Sequence, residues 1–156
     1  MGIWKKLFGD GEEEVDYYAE GVELLGAGRY HEALTSFRLA HREAPADVAV
    51  LQQLAVTYTR IGMTDEAIRN YRAALARDNA AAGAHYGLAF LLLREGRPDE
   101  AAGHLRAFLA APPAGPETDR HIAHARQALA ELDGLRAGAD RAGPGVADAP
   151  GGDRSG

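Results

Sequence analysis

Cysteine is absent from the 156 residues. That excludes disulfides, thiolate metal sites and cysteine nucleophiles together. Lysine is nearly absent as well: Lys5 and Lys6 are the only two, and every other cation is arginine. The 17 cations face 23 acids, for a formal net charge of -6. An acidic chain of this kind is poorly suited to nucleic acid, because phosphate contact needs a basic surface. No apolar run approaches the roughly 18 residues of a membrane span. Gly-x-Ser-x-Gly, His-Glu-x-x-His and phosphate-loop patterns are all missing, so no enzyme and no cofactor is expected. Hydrophobic residues nonetheless make up 46% of the chain, enough for a folded core in one domain or one compact array.

The two ends differ from the middle. In residues 1–13, Ile3, Trp4, Leu7 and Phe8 would share one side of a short helix, with Lys5 and Lys6 on the other. So short a helix needs something to pack on. An acid cluster follows at once in Asp10, Glu12, Glu13, Glu14 and Asp16, and anionic lipid would repel it. Docking on protein and contact with a membrane surface both stay open for this segment. Residues 134–156 are mostly Gly, Ala, Pro, Asp and Arg, and are expected to form a disordered tail, with Gly134 ending the helix before it.

Between the ends the chain repeats itself at a step of 34. Gly28, Gly62 and Gly96 are in phase, as are Ala33, Ala67 and Ala101 and the acids Glu32, Glu66 and Glu100. Phe37, Tyr71 and Leu105 follow at the same step, and so do Leu24, Tyr58 and Leu92. A fixed period in this range means stacked units. Each unit reads as two helices. The first ends at the glycine, which can take a left-handed conformation. The second starts just after it, with Thr64 as an N-cap and Pro98 in a first turn. Acids in those first turns suit the helix dipole.

This pattern resembles the tetratricopeptide repeat, whose signature is Trp-x2-Leu-Gly-x2-Tyr, then Ala-x3-Phe, then Pro. Residues 14–47 offer Tyr17, Gly21, Leu24, Ala33, Phe37, Ala40 and Pro45; residues 48–81 offer Leu51, Leu54, Ala55, Tyr58, Ala67, Tyr71 and Ala74; residues 82–115 offer Leu88, Ala89, Leu92, Ala101, Leu105 and Pro113. Glu20, His85 and Phe108 depart from the pattern. The resemblance implies an all-α fold, a right-handed α-solenoid of three helix-turn-helix repeats. Residues 116–133, with the apolar stripe Ile122, Ala125, Leu129 and Leu132, are expected to form a C-terminal capping helix.

By the same resemblance, the first helix of each unit lines a concave groove. At the 34-residue step its positions hold Tyr18, Gln52 and Tyr86, then Val22, Val56 and Phe90, then Leu25, Thr59 and Leu93. Arg60 and Arg94 stand at the rim. A solvated face would not collect Tyr, Val, Phe and Leu. The implied partner is a protein or peptide with apolar anchors, either extended or as an amphipathic helix, with a carboxylate for the arginines. Some relatives of this kind clamp a dicarboxylate chaperone tail, but here those slots hold Tyr18, Val22, Gln53, Gly83 and Gly87, with no cation. RNA reading is not expected either, with ten arginines against thirteen acids over residues 14–115.

His121 and His124 lie three apart on the last helix, but no third or fourth metal ligand is placed beside them. They are expected to be solvated polar residues of the cap. The expected function is a non-enzymatic interaction module, an adaptor, scaffold or assembly factor. Its expected setting is the cytoplasm of a bacterium, given the Ala- and Arg-rich, Lys-poor usage. Two alternatives are a peripheral scaffold tethered to the inner face of the membrane by Ile3, Trp4, Leu7 and Phe8, and a scaffold that self-assembles through exposed repeat faces.

Overall fold

A computed structural model describes residues 14–145. Among these, seven helices occur and no strand: α1 Tyr17–Gly26, α2 Tyr30–Glu43, α3 Val48–Ile61, α4 Thr64–Arg77, α5 Ala82–Arg94, α6 Pro98–Ala110 and α7 Thr118–Ala142. Each helix packs chiefly on its neighbours in sequence, and α3 also touches α1 and α5. The result is an all-α solenoid of three helix pairs with α7 against the last.

The three inner turns are built alike. Gly28, Gly62 and Gly96 have φ of 76°, 89° and 69°. In each turn the next amide reaches back to close the helix: Arg29 N to Leu24 O at 2.9 Å, Met63 N to Tyr58 O at 2.9 Å and Arg97 N to Leu92 O at 2.9 Å. This double-bonded closure requires a left-handed residue, which glycine adopts at the least cost. Where a capping side chain does start a helix, it is an aspartate: Asp16 accepts from Ala19 N, and Asp47 from Ala49 N and Val50 N. Thr64 is not an N-cap; it is the first helical residue, and Met63 holds the cap position without a side-chain bond. Pro98 opens α6, where its missing N–H costs nothing.

Packing explains the repeating alanines and their partners. Ala33, Ala67 and Ala101 are wholly buried between helices, and Phe37, Tyr71 and Leu105 fill the space beside them. Burying such side chains contributes about 1.5–3 kcal/mol each. The departures from the repeat pattern also have partners. Glu20 accepts a 2.8 Å hydrogen bond from the buried Ser36 hydroxyl. Phe108 is buried under α7, with its ring centroid 5.1 Å from that of Tyr86. A Cβ on Gly21 would overlap the Phe37 ring, so glycine lets α1 sit close to α2.

The last helix departs from expectation at its end. α7 does not stop at Gly134 but continues to Ala142, and Gly143, with φ of 61°, follows it. Arg106 pairs with Asp133 at 3.2 Å and Arg136 with Asp99 at 2.6 Å. These exposed contacts link the stretch on both sides of Gly134 to α6, and part of the expected disordered tail is helical.

Candidate functional site

The first helices α1, α3 and α5 follow one another along the concave face, and their sequence-predicted positions have unequal fates. Val22, Leu25, Val56 and Arg60 come together around an open concavity of about 440 Å³. Gly26, Gly28, Tyr30 and Gln53 complete its wall. Val22 is 41% exposed, an unusual state for a large apolar residue in this chain. Tyr30 was not among the expected positions. It belongs to the second helix of unit one, and the Gly28 turn brings it alongside; that turn was the available signal.

The remaining positions are less available. Tyr18 turns its ring edge toward the buried Phe37, with centroids 6.0 Å apart. Gln52 projects toward α5, close to the backbone at Gly83. The Thr59 hydroxyl bonds back to the Ala55 carbonyl at 2.8 Å. Leu93 is half-buried between the two hydrophobic clusters.

At the third unit the face is covered by α7. The His124 ring stacks on Phe90 with centroids 4.1 Å apart and planes 9° from parallel. The Tyr86 hydroxyl lies 2.8 Å from His124 Nδ1, and His121 packs on the Tyr86 ring at 4.7 Å. Partial burial raises the Tyr86 pKa above the ordinary phenol value. The hydroxyl therefore keeps its proton at neutral pH and shares a hydrogen bond with His124. The histidines expected as plain solvated residues of the cap thus contribute to the concave face. One further step of 34 from Val22, Val56 and Phe90 arrives at His124, and that step was the signal missed.

Charge on this face is sparse. Arg60 and Arg94 are exposed and form no ion pair among the described residues. Arg60 lies close enough to the Tyr71 hydroxyl to favour its ionised form. The other arginine pairs are exposed, such as Arg72 with Glu100 at 2.7 Å between units two and three, and each contributes little. Among the described residues no three His, Asp or Glu side chains converge to hold a metal ion, and no helix is long and apolar enough to cross a membrane. Ile3, Trp4, Leu7 and Phe8 lie outside the described residues.

Known proteins agree with this architecture. A family model described as tetratricopeptide repeat matches residues 62–132. No curated protein matches the chain in sequence. The type III secretion chaperone SycD of Yersinia enterocolitica, solved with a peptide of the translocator YopD, is similar with a TM-score of 0.71 at 19% identity, over 77% of this chain and 92% of that one. PcrH, solved with the chaperone binding region of PopD, is similar with a TM-score of 0.69 at 20% identity, over 77% and 90%; PcrH is also known in a structure from Pseudomonas aeruginosa. The TPR domain of P58(IPK) gives 0.70 at 22% identity, over 77% of this chain and 32% of that one. At such identities the likeness speaks for the fold.

Proposed function

We propose that this chain, a tetratricopeptide-repeat protein of three repeats and a capping helix, is a non-enzymatic interaction module that seats an apolar-anchored peptide segment on its first two units. One observation carries the reading: Val22, 41% exposed, and the half-buried Leu25 and Val56, from two successive first helices, line a shared concavity of about 440 Å³. That size lies in the range of about 300–1,000 Å³ typical of small-molecule clefts, and so has room for a peptide's anchoring side chain. Arg60 at its margin supplies one fixed cation, which suits a peptide carboxylate beside the apolar anchor. The solved complexes of SycD with a YopD peptide and of PcrH with a PopD region lend support, because the same fold takes peptide segments there. The third unit is not part of the seat, since α7 covers Phe90 and Tyr86.

The test is selection of binders from a random-peptide display library on the wild-type chain and on Val22→Glu. Val22 is already 41% exposed, so a carboxylate there leaves the fold intact while facing the ligand with an unpaired charge. The expected outcome is a family of peptides with apolar anchors that Val22→Glu no longer retains. Equal retention by both proteins would place binding elsewhere.

A further inference from the structure

We infer that residues 3–8 are an internal ligand of the concavity on units one and two, and that they occupy it until a partner peptide displaces them. This rests on the reading of that concavity as a peptide seat. Four observations lead there.

The concave face is filled at one end only. Near the C-terminus the chain supplies its own cover, with His124 stacked on Phe90 and bonded to Tyr86. No helix among the described residues lies over Val22 in the same way, and the half-buried Leu25 and Val56 share its open concavity. This open concavity therefore adjoins α1, the helix that residues 1–13 lead into.

Length permits the contact. Seven residues lie between Phe8 and Asp16, the cap of α1, and the eight steps span up to about 27 Å when extended. The concavity opens near the end of the ten-residue α1, about 15 Å along it. The linker reaches with slack. So short a tether gives an effective concentration on the order of millimolar, and a weak contact then suffices to fill the site.

The chemistry is complementary in two ways. Ile3, Trp4, Leu7 and Phe8 are four large apolar residues within six positions, and one buried indole covers about 150–250 Å². The helix α1 carries Glu20 and Glu23 and no cation, which suits Lys5 and Lys6 of a docked segment. Glu23 and Arg60 form no ion pair among the described residues, and the linker acids would offer Arg60 an opposite charge. Those linker acids would be repelled by an anionic bilayer, which favours a protein surface over lipid.

Trp4 is the only tryptophan, so its fluorescence reports on this segment alone. In the full chain we expect blue-shifted emission and several-fold weaker acrylamide quenching than for a solvated indole, independent of protein concentration. Val22→Glu is expected to release the indole to solvent, and the surface change Glu23→Lys to release it in part, with circular dichroism unchanged in both. The inference is overturned by a solvated Trp4 in the wild type, or by shielding that survives Val22→Glu. It is equally overturned by a blue shift that needs phosphatidylglycerol vesicles, or by one that grows with protein concentration and so reports a second copy. Trp4→Ser should tighten the binding of library-selected peptides by about threefold or more, because the seat is no longer partly filled. A solvated Trp4 with selected peptides still lost in Val22→Glu would sink the internal ligand alone. Selected peptides retained in Val22→Glu would sink the groove itself.

Discussion

His85 and His104 meet ring nitrogen to ring nitrogen, Nδ1 to Nδ1, at 2.9 Å between α5 and α6. The outer nitrogen of His85, Nε2, lies 2.8 Å from the Asn79 carbonyl, which can only accept, so Nε2 carries a proton and donates it. With the ring neutral, His85 Nδ1 is then the acceptor and His104 Nδ1–H the donor. A proton cannot sit on both facing nitrogens without breaking the contact.

An acid-side prediction follows from that pair. Burial first, and then the charge of a protonated His85, push the His104 pKa below the ordinary imidazole value; Glu100 pulls it up and Arg72 pushes it down. In the unfolded chain His104 takes a proton near its ordinary value of about 6.5. Below that pH the unfolded state binds more protons than the folded one, so stability falls as pH falls and is level above it. Urea midpoints followed from about pH 7.5 to about pH 5 should drop, and the drop should be smaller in His104→Asn. Parallel curves for the two proteins would rule the pair out as the cause.

On the alkaline side Tyr71 controls the slope. Burial raises its pKa to about 12, against opposing effects of a hydrogen bond with Thr59 and the charge of Arg60. The unfolded chain loses this proton near its ordinary value of about 10, so stability is intact below that pH and declines above it. A two-unit difference corresponds to a loss of up to about 3 kcal/mol once both forms have ionised. Spectrophotometric titration should show a late-ionising phenol in the wild type that is missing from Tyr71→Phe. The variant's stability should also depend less on pH above about 10.

Legibility in the sequence followed how local each constraint is. Gly28, Gly62 and Gly96 were readable because one backbone geometry, with positive φ, recurs at each turn. Ala33, Ala67 and Ala101 were readable because close helix approach leaves no room for a larger side chain. His85 with His104, and Glu20 with Ser36, were not readable, since each is a private polar pair that replaces a repeat residue and has no spacing rule. The concave face was readable as a set of positions but not as a surface. Which of them stay open depends on a helix that carries no full repeat signature, and α7 covers Phe90 while leaving Val22 exposed.

Two glycines inside helices should respond to alanine with opposite signs. A Cβ on Gly87 of α5 would overlap the Tyr71 phenol from α4, a buried side chain with little freedom to retreat. Gly87→Ala should cost about 1–3 kcal/mol through overpacking. Gly103 of α6 is exposed, and an added Cβ there meets nothing within 4 Å. Gly103→Ala should stabilise by about 0.5–1 kcal/mol, by narrowing the unfolded ensemble and favouring the helix. Urea midpoints of the two variants decide it; a stabilised Gly87→Ala would mean that α4 and α5 are not so closely packed.

Gly134 tests where the last helix ends. A C-terminal capping glycine adopts positive φ, and alanine there is strained. Gly134 is not among the glycines with positive φ, whereas Gly143 is. An added Cβ at Gly134 meets nothing within 4 Å, and the flanking Asp133 and Arg136 both reach α6. Gly134→Ala should therefore raise stability by about 1 kcal/mol and increase the helical ellipticity. Gly143→Ala should do neither, because the residue there must leave the helical region. A loss of stability in Gly134→Ala would return the helix end to Gly134 and leave the segment after it without a packed role.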